Sequence, residues 1–153
     1  MTDAIELASA SPADTLAIGR RVAALLRAGD VLLLAGGLGS GKTLFASGVA
    51  EGLGVQGRVT SPTFVLAKRY DGFLPIVHAD AYRLGSFAEF DDLELPTESR
   101  DGILMIEWGT AVAPGVPPDH LVVDIVIVDD ETRRIRLIPH GAWAARGLEE
   151  LTV

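Results

Sequence analysis

The sequence predicts an α/β fold on a mixed, mostly parallel sheet, closed by a C-terminal antiparallel hairpin. Three observations carry this expectation. Residues 31–35, Val-Leu-Leu-Leu-Ala, form a continuous apolar run, as in a central strand buried on both faces. That run enters a glycine-rich turn, and residues 42–53 read as the helix that follows it. Late in the chain two strand-like runs flank Asp129-Asp130-Glu131-Thr132, a turn signal that joins them as a hairpin.

The elements follow in chain order. Ser11-Pro12-Ala13-Asp14 has the features of a helix start, with Ser11 as N-cap and Pro12 at the first helical position. Leu16, Val22, Leu25 and Leu26 supply its apolar face, and Gly29 is its expected end. After the 31–35 strand and the 42–53 helix come strand candidates at 59–70 (with Pro62 as a possible break), 74–79, 103–107, 121–128 and 134–138. Ser86-Phe87-Ala88-Glu89 has capping-box spacing and opens a short helix between the middle strands. A single domain over residues 1–153 is expected, with 1–10 and 143–153 as flexible tails.

Composition bounds the function. A chain of 153 residues, 48% hydrophobic, is long enough to bury one substantial core. No apolar run approaches the ~20 residues a membrane span requires, and the acidic N-terminus lacks the pattern of a secretion signal. The absence of cysteine excludes disulfides, thiolate metal sites and cysteine nucleophiles, and a cytoplasmic location suits such a chain. Binders of duplexes or RNA present a basic face, because phosphate neutralisation supplies most of their non-specific affinity. A net charge of −8, with basic residues scattered and Arg133-Arg134 among the few adjacent pairs, argues against direct binding of tRNA or other nucleic acid by this chain alone.

Gly36-Gly37-Leu38-Gly39-Ser40-Gly41-Lys42-Thr43 matches the Walker A pattern G-x-x-x-x-G-K-[ST]. Glycines let the backbone wrap phosphate oxygens with its amides turned inward, in conformations a Cβ obstructs. The helix N-terminus beyond Gly41 adds partial positive charge. Lys42 is expected to reach the β- and γ-phosphates, and the Thr43 hydroxyl to ligate Mg²⁺. The pattern follows a buried strand and opens a helix, as that mechanism demands, so a chance glycine-rich turn is a poor alternative. The fold expectation therefore narrows to a three-layer P-loop NTPase-like domain. The guanine-reading N-K-x-D and the D-x-x-G switch are both absent, which favours ATP over GTP.

A P-loop needs an acid near Mg²⁺, to hold it or to orient the attacking water. Asp80 and Glu107 each end an apolar strand candidate; if both strands run parallel to the P-loop strand, both acids open onto the phosphate edge. Spacing does not divide the two roles between them. His78, Asp80 and Tyr82 alternate and share one face of an extended chain. His78 has two readings, orienting Asp80 or serving as a hydrogen-bonded core histidine, the second favoured when it is taken alone. Trp108 reads as packing and Arg83 as a surface charge. Thr60-Ser61-Pro62-Thr63-Phe64 reads equally well as a Pro-containing turn or as a switch loop that lends Thr63 to the nucleotide site.

With these segments in place the chain resembles the TsaE family (formerly YjeE), bacterial ATPases of tRNA threonylcarbamoyladenosine biosynthesis. Besides Gly29-Asp30 and the P-loop, the likeness runs through Ser61-Pro62-Thr63-Phe64, His78-Ala79-Asp80-Ala81-Tyr82-Arg83-Leu84 and Ile106-Glu107-Trp108. The P-loop alone is generic; the other three elements in this order are specific. The resemblance implies an Mg²⁺-dependent ATPase, slow by itself, that acts with TsaB- and TsaD-like threonylcarbamoyl-transferase subunits modifying adenosine 37 of tRNA. It further implies that Lys42 binds phosphate, that Thr43 and Glu107 serve Mg²⁺, that Asp80 serves Mg²⁺ or hydrolysis, and that Ser61 to Phe64 form the switch segment. One departure is the acidic stretch Asp91-Asp92-Leu93-Glu94-Leu95-Pro96, which lacks the glycine usual there. Two other readings stand beside this one: a small-molecule kinase, for which no Arg-rich lid is evident, and a nucleotide-dependent binding switch.

Overall fold

The structure, a computed structural model, describes residues 4–37, 39–57, 59, 67–80, 99–107 and 116–151. Seven strands form one sheet: β1 (Ile5–Ser9), β2 (Val31–Gly36), β3 (Ala67–Tyr70), β4 (Ile76–Asp80), β5 (Ile103–Glu107), β6 (His120–Ile127) and β7 (Arg133–His140). Their order across the sheet is β1-β7-β6-β2-β5-β4-β3. The central four, β6, β2, β5 and β4, run parallel, while β1, β7 and β3 join antiparallel at the flanks. Helices α1 (Pro12–Ala23) and α2 (Lys42–Gly52) are the two described α-helices, and neither is long and apolar enough to cross a membrane.

Alternation along the strands sends side chains to opposite faces and builds two apolar clusters. Leu32, Leu34, Ile103, Met105, Val123 and Ile125 pack under α1 and α2, against Ile18, Val22, Phe45 and Val49. Val31, Leu33, Val77, Ala79, Leu104 and Ile106 form a second cluster on the opposite face, each 8% exposed or less. Burial on both faces explains why β2 and β5 read as unbroken apolar runs and why β4 is apolar but for His78 before its terminal Asp80.

Helix α1 begins as its sequence dictates. Ser11 Oγ accepts the Asp14 amide at 3.2 Å and Asp14 Oδ2 accepts the Ala10 amide at 2.9 Å, a reciprocal cap. Its end differs from expectation: the helix stops at Ala23, and Gly29, the predicted terminus, instead adopts φ 92° in the turn leading to β2. Where α1 crosses α2 the backbones touch, because Gly48 has no side chain; a Cβ there would overlap the Leu16 carbonyl oxygen.

Within the stretches expected as tails, the described residues carry secondary structure. Residues 5–9 pair with β7 as an edge strand, with Leu7 facing the core. Residues Gly141–Ala145 and Leu148–Leu151 form 3₁₀ turns that bury Trp143 and Leu148 completely. Arg146 anchors this segment from between them. Its guanidinium grips Asp30 with two bonds of 2.7 and 3.1 Å, donates to the Leu25 carbonyl at 2.8 Å and lies 4.2 Å over the Trp143 ring. Of the strand expected at 59–70, residues 67–70 are observed and 60–66 lie outside the described residues. The short helix expected from Ser86 lies outside them too.

Candidate nucleotide site

The site lies at the C-terminal edge of the parallel strands, where β2 turns into α2. Gly36, Gly39 and Gly41 have φ of 145°, 77° and 112°, the left-handed side of backbone space that the loop requires. At Gly36 the reason is also steric, since a Cβ would sit 2.6 Å from both the Ile125 carbonyl oxygen and Ser40 Oγ. At Gly37 and Gly39 no described atom lies within 4 Å of such a Cβ. Helix α2 starts at Gly41 without a side-chain cap, which leaves its first amides to a ligand or solvent.

Lys42 is buried, and its Nζ donates to the carbonyls of Gly36 at 2.9 Å and Gly37 at 3.0 Å, folded back over the loop. Burial pulls its ammonium below the ordinary lysine value, and the charges of Glu107 and Asp80 oppose that shift. Both predicted acids occupy the expected edge: β2 pairs in parallel with β5, β5 with β4, and Asp80 sits directly opposite Glu107 in the register. Asp80 and Glu107 are 7% and 4% exposed. The Thr43 hydroxyl, from the first turn of α2, donates toward Glu107 at 3.2 Å to Oε2 and 3.4 Å to Oε1. One hydroxyl and two carboxylates form a hard oxygen donor set, the chemistry Mg²⁺ prefers. Among the described residues no group of three or more His, Asp or Glu side chains has metal-holding spacing.

His78 is placed differently from the orienting role toward Asp80 considered in the sequence. Its Nε2 lies 2.6 Å from Glu107 Oε2, with the N–H not aimed along the line to that oxygen. Since β4 and β5 run in parallel register, His78 meets the residue diagonal to it across the sheet. Arg133, which the sequence reading treats only as half of a basic pair, contacts the glycine-rich loop. Its Nε donates to the Ser40 carbonyl at 3.0 Å, and its Nη1 binds the carbonyls of Asp129 at 2.6 Å and Thr132 at 3.0 Å. The only sequence cue was its position just after the hairpin turn. Pro12, Thr15, Leu44 and Arg133 border a small groove beside Gly39–Gly41. Thr63, with the rest of Ser61 to Phe64, and Leu38, Tyr82, Arg83 and Trp108 lie outside the described residues.

Comparison with known proteins agrees on one family. The family profile described as "Threonylcarbamoyl adenosine biosynthesis protein TsaE" matches residues 9–135. The chain is 43% identical over 144 residues to the tRNA threonylcarbamoyladenosine biosynthesis protein TsaE of Streptomyces coelicolor, covering 88% of this chain and 97% of the relative. It is 39% identical over 144 residues to the protein of that name from Bacillus subtilis, covering 93% and 90%. The crystal structure of Bacillus subtilis YdiB superposes with a TM-score of 0.80 at 33% identity, over 99% of this chain and 95% of that one. With the profile matching most of its length, the chain belongs to the TsaE family.

Proposed function

We propose that this protein binds ATP with Mg²⁺ in the loop Gly36 to Thr43 and hydrolyses it, slowly alone, in support of tRNA threonylcarbamoyladenosine biosynthesis. The observation that carries the reading is the meeting of Thr43 and Glu107 at 3.2 Å on the lip of a Walker A loop, with Asp80 beside them in register. In this reading Lys42 leaves the Gly36 and Gly37 carbonyls for the β- and γ-phosphates, a charge-assisted bond replacing two neutral acceptors. The amides of the loop and of the uncapped α2 terminus face the remaining phosphate oxygens. Thr43 and Glu107 would hold Mg²⁺, which when bound neutralises phosphate charge; Asp80 would join them on the metal or orient the attacking water by accepting its proton in a hydrogen bond.

The partners in this proposal are TsaB- and TsaD-like threonylcarbamoyl-transferase subunits, and the setting is cytoplasmic. With a net charge of −8 the chain leaves contact with tRNA to those partners. A reconstituted modification assay tests the proposal directly. Omitting the chain, or supplying Lys42→Ala, is expected to end multiple-turnover modification; an unchanged multiple-turnover rate in both cases refutes it.

A further inference from the structure

His78 is completely buried, on the same face of the sheet as the Met105 and Phe45 cluster, and among the described residues neither ring nitrogen has an aligned hydrogen-bond partner. A buried polar ring in that condition is destabilising compared with an apolar residue of the same shape, so a purely structural role does not explain it. What the ring does touch is a carboxylate of the site: Nε2 stands 2.6 Å from Glu107 Oε2. Thr43 approaches the same carboxylate from the α2 side, at 3.2 and 3.4 Å. Glu107 thus lies between a hydroxyl on the helix and an imidazole on the neighbouring strand, with 4% of its surface exposed. Without the imidazole, the carboxylate has nothing among these contacts to limit its rotation away from Thr43.

We infer that His78 is a positioning residue, which fixes the Glu107 carboxylate in the orientation that Mg²⁺-nucleotide binding needs. The inference rests on the reading of Glu107 as an Mg²⁺ ligand. It differs from the role as a partner of Asp80, because the contact made is to the acid on β5. His78 acts through Glu107 and does not itself touch nucleotide. Groups that orient a metal-binding side chain typically change metal affinity by about 10–100-fold when replaced. The effect should therefore lie in the advantage Mg²⁺ gives to nucleotide binding, not in nucleotide binding without metal.

Calorimetry with ADP on the full chain, with and without Mg²⁺, reads this as the ratio of the two Kd values. His78→Asn, too short to reach Glu107, is expected to lower the ratio about tenfold or more with the metal-free Kd unchanged. His78→Gln, whose amide nitrogen reaches the place of Nε2, is expected to restore it. His78→Leu keeps the site apolar and must behave as His78→Asn, so a folding failure of one variant leaves the other decisive. A wild-type ratio in either His78→Asn or His78→Leu overturns the inference, as does an equal loss of affinity with and without metal. Glu107→Gln separates the two levels of the argument. If it leaves the ratio intact, the reading of Glu107 fails; if it collapses the ratio while His78→Asn does not, only the role of His78 falls.

Discussion

Replacing Arg146 with alanine tests how the C-terminal segment is held. The guanidinium and the Asp30 carboxylate are each about 10% exposed and meet in two bonds, 2.7 and 3.1 Å long. Stripping the partner from a buried ion costs ~3–5 kcal/mol, far more than the net worth of the pair. The lower end applies here, because Asp30 Oδ2 keeps the Arg27 amide at 2.6 Å. A loss of ~3 kcal/mol in a domain of this size lowers Tm by roughly 10 °C. The assay is reversible thermal unfolding of wild type, Arg146→Ala, Asp30→Asn and the double variant. The double variant should lose clearly less than the sum of the single ones, since removing both charges leaves neither stranded. Nucleotide affinity should not change, because Asp30 precedes β2 and the glycine loop follows it, roughly 20 Å away along the strand. A Tm change of less than about 2 °C in Arg146→Ala, well short of the shift expected, refutes the argument that this pair anchors the segment.

Gly36→Ala forces a Cβ to 2.6 Å from two oxygens at φ 145°, whereas Gly37→Ala meets no described atom; nucleotide affinity by calorimetry should collapse in the first and persist in the second, and equal losses would contradict the steric account. Gly48→Ala drives a methyl into the Leu16 carbonyl and should cost ~1–3 kcal/mol by urea unfolding, an unchanged midpoint counting against the close α1–α2 contact. His140 stacks on His120 with ring centroids 4.4 Å apart, and burial first, then repulsion from His120, hold its pKa below the ordinary 6.5. A pKa lowered by folding gives stability that is complete above 6.5 and is lost as pH falls through the folded value. Tm should therefore fall on acidification from pH 7 to about 5, and His140→Gln should flatten that decline; an identical slope in the variant would contradict the assignment.

What the sequence made legible was whatever short-range pattern encodes. The Walker A spacing located the loop, and the strand ends at Asp80 and Glu107 followed from two apolar runs, since a strand buried on both faces leaves an unmistakable stretch. Ile5–Ser9 was hidden for the opposite reason. It is a half-buried edge strand of five residues whose alternation, with Glu6 and Ala8 exposed, is too brief to stand out. The Asp30–Arg146 pair joins residues 116 positions apart, and no local signal reveals such a partner. Gly29 illustrates an ambiguity in glycine itself: a positive φ serves a strand entry as well as a helix end. The pairing of His78 with Glu107 depended on which diagonal the parallel register brings together, and only the β4–β5 ladder decides that.

Arg133 has a consequence that reaches past its own hydrogen bonds. A trans peptide is planar, with its carbonyl and its amide pointing in opposite directions. By tethering the Ser40 oxygen at 3.0 Å, the guanidinium therefore dictates the bearing of the Gly41 N–H, which must look away from β7. The same guanidinium is moored to the oxygens of Asp129 and Thr132 in the hairpin turn. A donor on the glycine-rich loop is thus aimed by a strand more than ninety positions downstream, and the hairpin, remote in sequence, belongs to the mounting of that loop.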